Sequence, residues 1–256
     1  MKSFGIKLSL AAMLLAGAAA TSVAYADDAP AAPAAPAWGT LAGYVAVTND
    51  YRFRGITQDK KDISPQGSLN WTGPDGFYAG TWLSKVNWDG HNNPSLEMDI
   101  YAGKHFDLDG TDLNVEAYYY SYPEYSLPGP AASYYETIVQ LSHTFGPLTL
   151  TATGANSPEW SLGGGTGWYA EGTASYAVND WLSISGNLGH QWVAAAPSDY
   201  THYDIGATAT WKSFSLDARY VGTDIKAADT SFWIGVPKGA TPGFVATLTY
   251  NFNLLP

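Results

Sequence analysis

The side chains of this chain that could do chemistry fall on every second position. In the stretch from Leu41 to Gln58, LAGYVAVTNDYRFRGITQ, Asp50, Arg52 and Arg54 alternate with Tyr51 and Phe53. Glu97 and Asp99 flank Met98, and Asp217 and Arg219 flank Ala218. Glu116, Glu136, Glu171 and Asp204 occupy the polar phase of other alternating runs. Eight acids thus stand against three arginines. If these faces line a wet lumen, unpaired acids draw cations and carboxylates facing guanidinium groups sort ions. In a dry interior the same groups only satisfy one another as salt bridges. Both readings of Arg52 and Arg54, a constriction or structural ion pairs, stand at this point.

Motifs for other chemistry are weak. Asp107 to Asp112, DLDGTD, has the look of a calcium loop but lacks its downstream glutamate and fits a tight hairpin turn. Asp89 to Asn93 reads as a solvated loop. The five histidines show no HExxH spacing, and there is no cysteine, so no metal site is expected. Ser161 to Gly165, SLGGG, lacks the Lys-Ser/Thr of a phosphate loop. No cofactor and no catalytic residue are expected. The enzyme alternative is an outer-membrane lipase or deacylase built on His143 or His190, both on apolar faces where lipid could reach them. A closed structural or adhesive barrel is the other alternative.

The elements that must hold these residues are strands. Leu41, Val45, Val47, Tyr51 and Phe53 share one face of the first, and Thr48, Asp50, Arg52 and Arg54 the other. The same alternation recurs in runs near 65–72, 77–87, 95–106, 113–122, 134–145, 148–153, 168–176, 182–191, 203–211, 214–220 and 244–252, which makes twelve strands. In the third run the facing is ambiguous, because Tyr78 and Trp82 oppose Phe77 and Leu83. Long connections are expected at 56–63, 88–94, 123–132, 156–165, 194–198 and 223–242, and short ones near Pro74, Gly110, Pro147, Asn179 and Lys212. Alternating long and short connections on an even number of strands predict an all-β fold, a closed antiparallel transmembrane β-barrel with both termini at the short-turn, periplasmic end. Closure leaves no exposed edge. Tyr51, Phe53, Trp71, Trp168, Trp211, Phe214, Tyr250 and Phe252 are expected in aromatic girdles at the headgroups. With strand one running outward, Arg52 and Arg54 are expected near the external mouth, at a height shared with Glu97, Asp99, Glu136 and Asp204.

The start of the chain reads as a signal peptide, residues 1–26, with Lys2 and Lys7, an apolar Leu8 to Ala20 and a small-x-small site at Ala24 to Ala26. An Ala/Pro-rich periplasmic lead-in, residues 27–38, precedes the barrel, residues 39–256. The whole chain carries 12 basic and 23 acidic residues, a net charge of −11, and losing the leader makes it two units more negative. That balance argues against a nucleic-acid partner.

Several stretches carry a family resemblance. They are Val47 to Gln58 with its Arg-Gly-Ile-Thr-Gln core, Pro65 to Leu69, Gly76 to Trp82, Glu97 to Gly103 and Tyr119 to Pro123. In these the chain resembles the TorF porin family of proteobacterial outer-membrane proteins. The resemblance implies export to the bacterial outer membrane and a channel-like role. Expected partners are outer-membrane lipid and lipopolysaccharide, the barrel-assembly machinery and small hydrophilic solutes. The chain ends Tyr250-Asn251-Phe252-Asn253-Leu254-Leu255-Pro256. Phe252 is the expected assembly signal and residues 253–256 a short tail. The function expected is passive diffusion of small hydrophilic solutes or ions, with mild cation preference.

Overall fold

The computed structural model describes residues 38–88, 94–126, 128–226, 228, 229, 232 and 239–255. The signal peptide, nearly all of the lead-in and the loop Asp89 to Asn93 lie outside the described residues. In chain order the strands are β1 (Thr40–Thr48), β2 (Arg52–Phe53), β3 (Ile56–Thr57), β4 (Ser64–Thr72), β5 (Phe77–Lys85), β6 (Leu96–Leu108) and β7 (Thr111–Ser121). They continue with β8 (Tyr134–Phe145), β9 (Leu148–Trp160), β10 (Gly165–Asn179), β11 (Leu182–Val193), β12 (Tyr200–Trp211), β13 (Phe214–Thr223) and β14 (Gly243–Leu255). Twelve of these, all but β2 and β3, form a closed antiparallel barrel in which β1 pairs with both β4 and β14. Val45 lies opposite Tyr250 on one side and Gly67 on the other.

The alternation turns the usual burial rule inside out. Val45, Val47, Leu69, Ile100, Leu141, Ile184, Leu188, Ile205 and Leu248 are exposed, whereas Ser68, Glu97, Asp99, Asn114, Glu116, Ser185 and Thr208 are buried. An apolar outer surface over a polar interior suits lipid outside, and closure satisfies every ladder hydrogen bond that lipid would leave unpaired. The fold is a twelve-stranded transmembrane β-barrel. In β5 the ambiguous facing resolves with Trp82 and Ser84 buried and Phe77 and Leu83 exposed. Trp168, Trp211, Phe214 and Tyr250 face outward, as expected of a girdle.

Short turns share one end of the barrel with the first and last barrel residues. The Asp109-Gly110 turn has φ of 56° and 85°, the left-handed pair of a two-residue hairpin. Asp107 Oδ1 accepts from the Gly110 amide at 2.8 Å, which completes the turn reading of DLDGTD.

Three expectations about elements are corrected. The run from Leu41 to Gln58 is not one strand: β1 stops at Thr48, and the chain folds inward as the β2–β3 hairpin. Residues 156–165 are not a long loop, because β9 continues to Trp160 and β10 starts at Gly165, joined by a short turn in which the Gly164 amide donates to Trp160 O at 3.1 Å. Residues 253–255 are not a tail. They extend β14, with Leu255 opposite Leu41 beyond an irregularity between Leu41 and Ala42.

Candidate functional site, a hairpin across the barrel

The inward fold of the first long loop is a local consequence of its own polar residues. Asp50 Oδ1 accepts from Thr57 Oγ1 at 2.6 Å, and Asp50 Oδ2 accepts from Arg52 Nε at 2.7 Å. Arg52 Nη1 donates to Gly55 O at 3.2 Å and to Thr241 O at 3.1 Å. Asp59, with no exposed surface, accepts from the Tyr51 amide, the Lys61 amide and Ser64 Oγ at 2.7–3.0 Å. A carboxylate receiving that many donors is a rigid hub. At the loop's outer edge the Lys85 ammonium, 2.8 Å away, holds the exposed Asp62 carboxyl below the usual carboxylate range.

Arg54 and Gly55 form the two-residue turn of the β2–β3 hairpin, with φ of 47° and 84°. This is the left-handed pair that matches strand twist, and it is costly for arginine. Gly55 has no alternative of similar size, since a Cβ there would lie 2.6 Å from Thr223 Cγ2 and 2.7 Å from His202 Cβ. The turn carries the Arg54 side chain to the far wall. From β1, the strand the hairpin leaves, β8 is fifth around the ring in one direction and β11 fourth in the other. Arg54 Nη1 and Nη2 donate to the two oxygens of Glu136 at 3.0 and 2.7 Å, and Nη1 also donates to Gln191 Oε1 at 2.6 Å. Its guanidinium carbon lies 3.8 Å from the Tyr169 ring centre, 4.7 Å from that of Phe53 and 5.5 Å from that of Trp160. The Arg54 main-chain oxygen accepts from Tyr200 OH at 3.1 Å.

Tyr51 and Phe53 therefore do not belong to the outer girdle. Tyr51 packs edge-on against Trp82 at 5.2 Å, and Phe53 against Tyr120 at 5.5 Å, both inside the barrel. The physical reason is that the chain leaves the wall at Asn49, so the parity of β1 does not extend to the hairpin.

Each other acid named from the sequence points to the interior, where tyrosines hold several. Tyr122 OH donates to Glu97 at 3.1 Å, Tyr118 OH to Asp99 at 3.0 Å and Tyr78 OH to Glu116 at 2.6 Å. Tyr120 OH donates to Glu136 at 3.0 Å and Tyr169 OH to Glu171 at 2.7 Å. The rings stack along this wall, with Tyr101 on Tyr118 at 5.1 Å and Tyr120 on Tyr134 at 4.5 Å. On the wall of β11 to β13, Arg219 binds Asp217 through Nε at 2.7 Å and Asp204 through Nη1 at 2.6 Å, and Asn187 supports Asp204 at 2.9 Å. The arginines thus divide. Arg52 is paired within its own loop, Arg219 along one wall, and only Arg54 bridges the barrel. Of the four acids expected at its height, Glu136 alone is its ion-pair partner. Glu97 and Asp99 engage tyrosines, and Asp204 engages Arg219.

Sequence reasoning passed over Tyr120, Trp160, Tyr169, Gln191 and Asp59. Tyr120, Tyr169 and Gln191 share the polar phase with the named acids, so the signal was present. Trp160 was hidden by its placement in an expected loop. His143 and His190 stay on the outer face, where their Nδ1 atoms meet Thr111 Oγ1 at 2.8 Å and Thr201 Oγ1 at 2.9 Å.

Solved porins share this architecture. The KdgM porin, in a structure described as a complex with disordered oligogalacturonate, aligns with a TM-score of 0.55 at 8% identity, over 83% of this chain and 99% of that one. The NanC porin aligns with a TM-score of 0.53 at 9% identity, over 84% of this chain and 100% of that one. At such identity the likeness establishes the fold. No curated protein matches the sequence. Residues 30–252 match a family described as "Bacterial protein of unknown function (Gcw_chp)", and with most of its length so matched the chain belongs to that family.

Proposed function

We propose that this barrel is an outer-membrane channel of the TorF porin type for small hydrophilic solutes or ions, with its loop end outward and a mild cation preference. The observation that carries the reading is the Arg54 bridge, which places one guanidinium across the lumen against Glu136. A charge held across the bore at the loop end is a constriction by position. Asp50, Arg52, Arg54, Glu97, Asp99, Glu116, Glu136, Glu171, Asp204, Asp217 and Arg219 form the lumen set of this reading. Acids outnumber arginines within it, which supports the cation preference. Lipid and lipopolysaccharide would cover the apolar outer face, and the assembly machinery would read the end of β14.

Planar-bilayer recording tests this. Arg54→Ala is expected to raise conductance and shift ion selectivity, whereas Arg52→Ala is expected to act mainly through loosening of the hairpin. Unchanged conductance and selectivity in both variants would eliminate the constriction.

A second reading, a closed structural barrel, is favoured by the hairpin and the tyrosine stacks that fill the interior. Silence of both wild type and Arg54→Ala in bilayers would select it. The enzyme alternative draws no support from His143 and His190, because each meets a threonine on the lipid face and neither meets a carboxylate among the described contacts.

A further inference from the structure

The partners of Arg54 each have supports besides it. Glu136 is held by Tyr120 OH, and Gln191 is aimed by its own amide donating to Trp168 O at 3.0 Å and Trp192 O at 3.1 Å. Tyr169 is stacked flat on His202 at 5.7 Å and anchored to Glu171. These groups come from β7, β8, β10 and β11, while the guanidinium arrives on a loop from the opposite wall. A carboxylate fork, an oriented amide oxygen and an aromatic face are the complement of a planar, delocalised monocation. With Arg54 in place, Glu136 and Gln191 are both essentially without exposed surface, so the seated ion pair is desolvated. The occupant, by contrast, stands on a backbone conformation that arginine disfavours.

We propose that this pocket is a receptor for guanidinium groups and that Arg54 is its built-in occupant, so that solutes carrying an alkylguanidinium compete with the hairpin for the lumen. The receptor rests on geometry alone; its role in gating rests on the channel reading above. An alkylammonium is a poorer match, because a compact point charge cannot fill the two-pronged contact with Glu136.

The test uses the refolded full-length barrel in detergent micelles, with methylguanidinium as the probe and tryptophan fluorescence as the readout, since Trp160 borders the site. Arg54→Ala is expected to show a saturable response, weakened roughly tenfold or more when Glu136→Gln is added, when methylammonium replaces the probe, or when Arg54 is present. Absence of saturation in folded Arg54→Ala overturns the receptor, as does a response indifferent to Glu136→Gln. Should Arg54→Ala fail to fold, refolding with methylguanidinium is expected to restore the heat-modifiable barrel. Failure of that rescue, or equal rescue by methylammonium, also overturns the proposal. Bilayer currents separate the two ideas: binding with no current in Arg54→Ala sinks the channel and leaves the receptor. A current that ignores methylguanidinium sinks the receptor and leaves the channel.

Discussion

Arg52 and Arg54 are two residues apart on an alternating stretch, and by parity alone they are equivalent. Their partners make them different: Arg52 closes its own hairpin, while Arg54 extends its fork to the far wall. Parity could show which face a residue takes, but pairing depends on which strands meet across the barrel, and that is a property of closure. Gly55 is the residue on which the arrangement turns. Gly55→Ala adds a methyl against Thr223 and His202 at a φ of 84°, and such a position costs about 1–2 kcal/mol for an L side chain before any clash. The hairpin is expected to leave its seat while the barrel stays closed. Faster proteolytic nicking near Lys60 and Lys61 together with an unchanged heat-modifiable band would report it; an unaltered nicking rate would show that the turn tolerates the methyl.

All twelve barrel strands were legible as elements because lipid and lumen impose opposite demands on successive residues, and the demand repeats in every strand. The hairpin was not legible, since Asp50 to Arg54 continue the alternation of β1 after the chain has left the wall. Asn49-Asp50 and Arg54-Gly55 were the available signals, each a turn pair flanking a run too short to cross a bilayer. Trp160 shows the opposite error: Asn156, Ser157, Pro158 and Gly165 read as loop residues, yet β9 and β10 run for 13 and 15 residues, longer than a bilayer crossing needs, and their ladder reaches Trp160 and Gly165. Strand logic also predicts how substitutions sort. Ile205, in the middle of β12, is 62% exposed on the outer face, so Ile205→Arg is expected to cost about 2–4 kcal/mol in lipid. Thr249→Arg, on the inner face of β14, is expected to cost less than that and to alter selectivity instead. Urea unfolding in vesicles measures both, and equal losses would contradict the assigned faces.

At the scale of the whole molecule, closure explains why so many carboxylates are tolerated inside. On the wall of β6 to β8, Glu97, Asp99, Glu116 and Glu136 meet tyrosine hydroxyls, and the wall of β11 to β13 gives two acids one arginine. These acids are thus partnered locally and unevenly, with one oxygen each of Glu97 and Asp99 left without a hydrogen bond among the described residues. The lumen set keeps an excess of acids over arginines, and the electrostatic consequence belongs to the bore as a whole rather than to one pair. Under a KCl gradient at low ionic strength the reversal potential is therefore expected to favour K⁺. The preference should shrink as salt rises, because the screening length falls from about 10 Å at 0.1 M to about 3 Å at 1 M, shorter than the bore over which the acids act. Arg219→Gln tests the same field from the other side: it frees Asp204 and Asp217 from their shared cation and is expected to strengthen K⁺ preference at low salt, with the hairpin left in place. A preference for anions, or one that ignores both salt and Arg219, would mean that the interior acids do not set the field through which ions pass.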